Sequence, residues 1–118
     1  MTILSKRIRT HLCEMAQSAT PITYNALALA MNLAPPKTIH QVTSALEILM
    51  EEDAAASRPF IAALVISRSG SRLPAAGFFV HAKNLGRFTG TTAGPEAREF
   101  HKTELASAIV FWANPVKT

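Results

Sequence analysis

Hydrophobic positions in the first half of the chain recur every three or four residues, which is typical of helices that bury one face. In a first predicted helix, residues 5–17, these positions are Ile8, Leu12, Met15 and Ala16. Pro21 then interrupts the pattern because it has no amide hydrogen to donate, and Ile22 fits a very short strand. This part of the chain therefore predicts one amphipathic helix followed by a break.

Two further helices are predicted on either side of a proline-rich turn. Thr23 is a good N-cap for a helix that runs to about Met31, because its hydroxyl can accept a hydrogen bond from a free amide of the first turn. Asn32 tolerates the left-handed conformation that ends a helix, and Pro35-Pro36 delays the next helix, which Thr38 is expected to cap. The apolar positions of this third helix are Ile39, Val42, Leu46, Leu49 and Met50.

The third helix ends in consecutive acids, Glu51, Glu52 and Asp53. Such an end is unfavourable because the C-terminal end of a helix dipole is itself negative. Two outcomes are consistent with this pattern: either nearby basic groups compensate the acids, or the helix frays into residues 54–57.

Residues 60–67 and 77–81 are rich in Ile, Val, Leu and Phe, and they predict two strands joined as a β-hairpin. The loop between the two strands, from Arg68 to Pro74, is rich in turn-forming residues and presents two arginines. A helix-turn-helix followed by a basic β-hairpin is the plan of a winged helix, in which the hairpin is the wing.

A last helix is predicted from Pro95, a favourable first helical residue, to about Ala113, after a loop over residues 83–94. With 118 residues, 48% of them hydrophobic, the chain fits a single domain, residues 1–118, with a substantial core. Together these elements predict an α+β fold: a winged helix-turn-helix with a three-helix core, a β-hairpin wing and an extra C-terminal helix.

Composition argues against several classes of protein. The sequence has no run of about eighteen apolar residues and no stretch like a signal peptide, so we expect a cytoplasmic protein with no membrane partner. The single cysteine, Cys13, excludes an internal disulfide and is expected to behave as a small apolar residue. Four histidines lack the spacing of metal ligands and are interpreted as surface residues, so no metal or other cofactor is predicted: His11, His40, His81 and His101.

Catalytic motifs are absent from the sequence. It contains neither a nucleophile elbow nor a glycine-rich phosphate loop with its lysine, and no pair of carboxylates stands apart from a charged helix face. The prediction is therefore a protein that is not an enzyme.

The charge of the chain favours a polyanionic partner. The formal net charge is +4 and the pI is near 9.7. The acids gather in residues 47–53 and 96–104, whereas residues 58–87 hold five basic residues and no acid. The sequence therefore predicts one strongly positive face that includes the hairpin.

Duplex DNA is the predicted partner, because polar side chains at the start of a recognition helix can meet base edges. The candidate DNA-binding residues are Tyr24, Lys37, Thr38, His40, Gln41, Ser44, Arg68 and Arg72. Those of the third helix are placed to meet bases, and the two loop arginines to meet phosphates or the minor groove. Tyr24 fits either a phosphate contact through its hydroxyl or a core position, and the helix residues are also consistent with an ordinary solvated face.

Three segments of the chain resemble the DNA-binding domain of O6-alkylguanine alkyltransferases and alkyltransferase-like proteins, over roughly half of its length: Thr23-Tyr24-x-x-Leu27-Ala28, Val42-x-x-Ala45-Leu46 and Val65-Ile66-Ser67-x-Ser69-Gly70. The resemblance implies that Tyr24 is the tyrosine that opens the first helix of the motif, and that His40 stands where the family has the arginine that replaces a flipped base. The family's Pro-Cys-His-Arg motif is replaced by Pro59-Phe60-Ile61-Ala62-Ala63, so this chain has no acceptor for an alkyl group.

Two hypotheses follow from the sequence. The first is a non-enzymatic winged-helix protein that binds duplex DNA, of the kind used in transcription regulation. The alternative is a winged-helix module for protein–protein interaction, whose contact surface is either the predicted strand with Phe78 and Phe79 or the C-terminal helix, through which a homodimer would form. Phe100, Phe111 and Trp112 favour that dimer, because three large aromatic residues are too many for one core-facing side of a single helix.

Overall fold

The structure is a computed structural model that describes residues 2–68 and 72–113. These residues form five α-helices, namely α1 (Ile3–Gln17), α2 (Tyr24–Ala30), α3 (Thr38–Ala55), α4 (Ala76–Asn84) and α5 (Pro95–Ala113). Two short strands, β1 (Ile22–Thr23) and β2 (Val65–Ile66), pair in parallel, and a 3₁₀ turn (Ile61–Leu64) precedes β2. The described part of the chain is thus mostly helical, an α+β arrangement with one small sheet. None of its helices is both long enough and apolar enough to cross a lipid bilayer.

The first two helices match the hydrophobic pattern closely. α1 buries Ile8, Leu12 and Ala16 as predicted. Thr23 caps α2 as predicted, because its hydroxyl accepts a hydrogen bond from the Ala26 amide at 3.1 Å. Asn32 adopts the predicted left-handed conformation, with φ of 57°. Local side-chain chemistry is therefore enough to place this part of the chain.

The start of α3 differs from the prediction. Thr38 does not cap the helix; it is the first helical residue, and it follows Lys37, which is left-handed with φ of 59° and makes no capping hydrogen bond. Ile39 is 41% exposed, so the apolar stripe of α3 begins one turn later than expected. The remaining stripe residues are buried: Val42, Leu46, Leu49 and Met50.

The predicted β-hairpin is wrong. Residues 60–66 form the 3₁₀ turn and β2, and β2 pairs in parallel with β1, not with the segment that follows it. Residues 76–84 form helix α4, in which Phe78, Phe79 and Ala82 are buried at helical spacing while Val80 is 47% exposed. Packing on one helix face has thus overridden the β propensity of these residues. Residues 69–71 of the predicted wing loop lie outside the described residues.

Aromatic packing holds α4 against α5. The Phe100 ring of α5 contacts two rings of α4, with its centroid 6.2 Å from that of Phe78 and 6.4 Å from that of Phe79, and Phe78 also packs edge-on against Phe60. Such pairs favour offset and edge-to-face geometries because the ring edge is positive and the face is negative. This cluster explains why a phenylalanine-rich segment folds as a helix beside α5.

The centre of the molecule is the segment from Phe60 to Ile66, in which every residue is buried. Its first amides are bound by two acids that come from different helices. The Phe60 amide donates to Glu104 Oε2 at 2.7 Å, and the Ile61 amide donates to Asp53 Oδ2 at 3.0 Å. A buried carboxylate must be hydrogen-bonded and paired, so these contacts fix where α3 and α5 meet the central segment.

Three arginines compensate the buried acids. Arg58 Nε lies 2.9 Å from Asp53 Oδ1 and Arg9 Nη1 lies 3.0 Å from the same oxygen, while Arg9 Nη2 also pairs with Glu52 at 3.0 Å. Arg87 Nη2 lies 2.8 Å from Glu104 Oε2. Of the two outcomes predicted for the acidic end of α3, compensation is the correct one, and the helix continues to Ala55.

Trp112 covers two of these arginines. The guanidinium of Arg9 lies 4.8 Å from the centre of its ring and that of Arg58 lies 5.1 Å from it, and the indole Nε1 donates to the Pro59 carbonyl at 3.0 Å. Each cation–π contact contributes about 0.5–1 kcal/mol at partly exposed sites. The end of α5 is therefore bound to α1 and to the residues that follow α3.

We expect Glu104→Gln to lower the free energy of unfolding by about 2 kcal/mol, because it leaves the Arg87 guanidinium without its carboxylate in a partly buried site. Glu99→Gln, the same substitution at an exposed position of α5, is the matched control and is expected to change it by less than about 0.5 kcal/mol. Urea unfolding measures both values. Equal stabilities of the two variants would contradict the central role given to Glu104.

Candidate nucleic-acid interface

The N-terminal end of α3 is open to solvent. It follows a left-handed Lys37, and no side chain caps it. The amides of the first turn of a helix have no partner inside the helix, and together with the helix dipole they favour an anion. Lys37 adds a cation at the same place. This end of α3 therefore has the electrostatic character of a phosphate-binding site.

Three of the predicted DNA-binding residues lie on one face of α3, and the charge of this face changes along the helix. Lys37, His40 and Ser44 are all exposed and recur at three- and four-residue intervals, so they lie along one face of the helix. The same face continues with Glu47 and Glu51, which are also exposed. The face is cationic and polar at its N-terminal end and acidic at its C-terminal end.

Gln41 has a different role from the one predicted. It is partly buried, and its Nε2 donates to the carbonyls of Ala34 and Pro36, each at 3.0 Å. The side-chain amide of Gln41, which was predicted to meet a base edge, therefore stabilises the turn between α2 and α3. On the other side of that turn Arg7 Nη2 donates to the Met31 carbonyl at 2.8 Å. Two side chains thus fix the turn that presents the start of α3.

Tyr24 lies inside the fold. Its hydroxyl accepts a hydrogen bond from the Ala75 amide at 2.9 Å, and its ring lines a small cavity of about 40 Å³ together with Met50 and Phe78. Burial raises the pKa of the tyrosine above its usual value, and the bond from Ala75 opposes that shift. Of the two interpretations of this residue, the structure favours the core position.

Arg68 and Arg72 are exposed and belong to the loop that follows β2. The base of the loop is closed by a hydrogen bond of 2.7 Å from the Ser67 amide to the Leu73 carbonyl. Arg72 also lines an open groove beside α5, which we call the α5 groove and define by Arg72, Pro95, Arg98, Glu99, His101, Lys102 and Leu105. Sequence reasoning missed Arg98 and Lys102, although their four-residue spacing places them on one helix face.

The acid-free segment is less positive than its sequence suggests. Arg58 and Arg87 belong to this segment, but they pair with Asp53 and Glu104, which lie outside it. Their charges are therefore engaged in the interior network. The exposed basic residues of the segment are Arg68, Arg72 and Lys83.

The prediction that all four histidines lie at the surface is wrong for one of them. His40 is exposed, but His101 is buried, with its Nε2 2.9 Å from the Ala63 carbonyl, and its ring forms part of the floor of the α5 groove. His11 and His81 are partly exposed. Burial lowers the pKa of His101, although the Ala63 carbonyl and Glu104 oppose the shift. A neutral ring with its proton on Nε2 satisfies the buried carbonyl.

Cys13 is half-buried in α1, and burial raises the pKa of its thiol above the usual value. A raised pKa lowers the fraction of reactive thiolate. Within residues 2–68 and 72–113, no three His, Cys, Asp or Glu side chains are grouped in a way that would hold a metal ion.

The shift at His101 predicts a pH dependence of stability. Because the pKa of the ring is lower in the folded chain than in the unfolded chain, where it is near 6.5, the unfolded state binds more protons once the pH falls below that value. The free energy of unfolding should therefore decrease as the pH falls through this range. Urea unfolding at several pH values should show that the free energy of unfolding decreases less with falling pH for His101→Gln than for the wild type. The exposed control, His40→Gln, should show the same decrease as the wild type. Identical slopes for all three chains would contradict the burial of His101 in solution.

Comparison with known proteins gives this chain no relative: no protein-family model, no curated protein and no solved structure matches it.

Proposed function

We propose that this chain is a non-enzymatic protein that binds duplex DNA through the start of α3, of the kind used in transcription regulation. The proposal rests on one observation. The N-terminal end of α3 is uncapped and carries Lys37, His40 and Ser44 on one exposed face. The turn before it is fixed by hydrogen bonds from Gln41 and Arg7.

The charge order of this face determines how the helix meets DNA. The amide groups and the lysine at its N-terminal end attract phosphate, whereas Glu47 and Glu51 at its other end repel it. The major groove is about 12 Å wide and admits one helix, and recognition helices commonly place their first turns against base edges. We therefore propose that α3 enters the groove with its first two turns and keeps its acidic end outside. His40 and Ser44 are the side chains placed to contact bases.

The distribution of the remaining charge supports a polyanionic partner. The interior network engages three arginines, Arg9, Arg58 and Arg87, with three acids. Among residues 2–68 and 72–113, eight basic and five acidic residues lie outside this network, so a positive excess of three charges falls on groups that are not used to hold the core. Such an excess favours association with DNA, mainly through phosphates.

The resemblance to alkyltransferase DNA-binding domains points to the same partner without the chemistry. The positions of the family's reactive motif are held by buried apolar side chains, among them Phe60, Ile61 and Ala62. None of these side chains carries a nucleophile. We therefore propose DNA binding and no alkyl transfer.

Charge reversal at the start of α3 tests the proposal. Lys37→Glu should weaken binding to a fluorescently labelled duplex about tenfold at about 50 mM salt, because it replaces a phosphate contact by a repulsive charge. Lys83→Glu, the same change at an exposed position of α4, is the matched control and should weaken it by less than about twofold. Fluorescence anisotropy measures both affinities. Equal losses in the two variants, or no binding by the wild type, would overturn the proposal.

A protein-interaction module remains the alternative function, and one observation favours it. Phe111 is 43% exposed near the end of α5, while its neighbour Trp112 packs against the arginines of the core. An exposed aromatic ring beside Pro59 and Ala106 is a typical interface residue. If α5 forms a homodimer, light scattering at high concentration should give a dimer mass that Phe111→Ser reduces to that of a monomer. A monomer mass for the wild type would exclude this dimer.

A further inference from the structure

The α5 groove places three cations side by side. Arg98 and Lys102 lie one turn apart on α5, about 6 Å along the helix axis, and Arg72 joins them from the loop after β2. Pro95 and Leu105 extend the same helix face, so the groove follows α5 for about 15 Å. It is open along this length. Its shape suits an extended anionic chain better than a small anion, which an enclosed pocket would hold.

Few acids oppose these cations. Glu99 is the acid that lines the groove. Glu96, close in sequence, is turned away, because its Oε1 accepts hydrogen bonds from the Thr91 amide and hydroxyl. Glu104 is engaged by the Phe60 amide and by Arg87. The sequence of α5 contains both acidic and basic residues, but two of its acids are engaged elsewhere. The face of α5 that lines the groove is therefore positive.

We infer that the α5 groove binds the sugar-phosphate backbone of the DNA duplex, as a second contact beyond the start of α3. The inference rests on the proposed function. DNA carries one phosphate per 3.4 Å of helix axis on each strand, so cations one helical turn apart can each meet a phosphate of the same strand. The groove contacts no base edges in this arrangement, and it adds affinity without sequence preference.

Salt dependence tests the inference, because each phosphate contact that is lost makes the plot of log affinity against log salt less steep by about 0.9. Lys102→Gln should reduce the slope by about this amount, and Arg98→Gln combined with Lys102→Gln should reduce it by about 1.8. Lys83→Gln is the matched control. It makes the same charge change at an exposed position on the opposite side of α5, beside Glu96, and should leave the slope unchanged.

A gain of affinity provides an independent test that does not depend on removing a cation. Glu99→Gln removes the acid that lines the groove and should tighten binding roughly threefold, while Glu14→Gln, an exposed position of α1, should not. Thermal unfolding followed by circular dichroism verifies that each variant is folded.

The possible results separate the inference from the proposed function. If the wild type binds duplex DNA but Lys102→Gln and Lys83→Gln give the same slope and Glu99→Gln gives no gain, the groove is not a contact and the inference is overturned, although DNA binding stands. If the wild type binds no duplex at low salt, the proposed function itself is lost. Reduced slopes together with a gain from Glu99→Gln support the groove contact.

Discussion

The structure depends on two buried carboxylates that bind consecutive backbone amides. Glu104 accepts from Phe60 and Asp53 from Ile61, so a helix on either side is fixed to the same point of the chain. Burial raises the pKa of Asp53, and the Ile61 amide and the two arginines beside it act in the opposite direction. A charged acid in this position is tolerated only because it is paired and hydrogen-bonded, which makes the arginines part of the core. The apolar segment that follows is then buried against α1, α3 and α5.

The same network determines which charges are available for function. It uses arginines from α1, from the segment after α3 and from the loop after α4, which in the sequence look like free surface cations. The cations that remain outside it include Lys37 at the start of α3 and the group of Arg72, Arg98 and Lys102 beside α5. Folding and proposed function are connected in this way: the core neutralises the acids of α3 and α5 nearest to it, and two positive regions are left on the surface.

Periodicity and capping chemistry were sufficient to predict α1, α2, α5 and the existence of α3, because those signals are local. Local signals could not show that the predicted hairpin was wrong. Residues 60–66 are buried on every side, so they lack the alternation that distinguishes a half-buried strand. Phe78 and Phe79 pack against Phe60 and Phe100, which are distant in the sequence. The burial of His101 and the pairing of Arg9 with Asp53 are also long-range contacts. Among the candidate site residues, Lys37, His40 and Ser44 have the expected exposure, but the turn carbonyls that engage Gln41 and the cations beside Arg72 become visible only in three dimensions.

Amide NMR spectra of the chain titrated with duplex DNA would report the contact surface residue by residue. We expect shift changes centred on Lys37 to Ser44 and on Arg98 to Lys102, with little change at Glu51 or Lys83. Changes centred on Phe111 and its neighbours, or no change at low salt, would contradict this expectation.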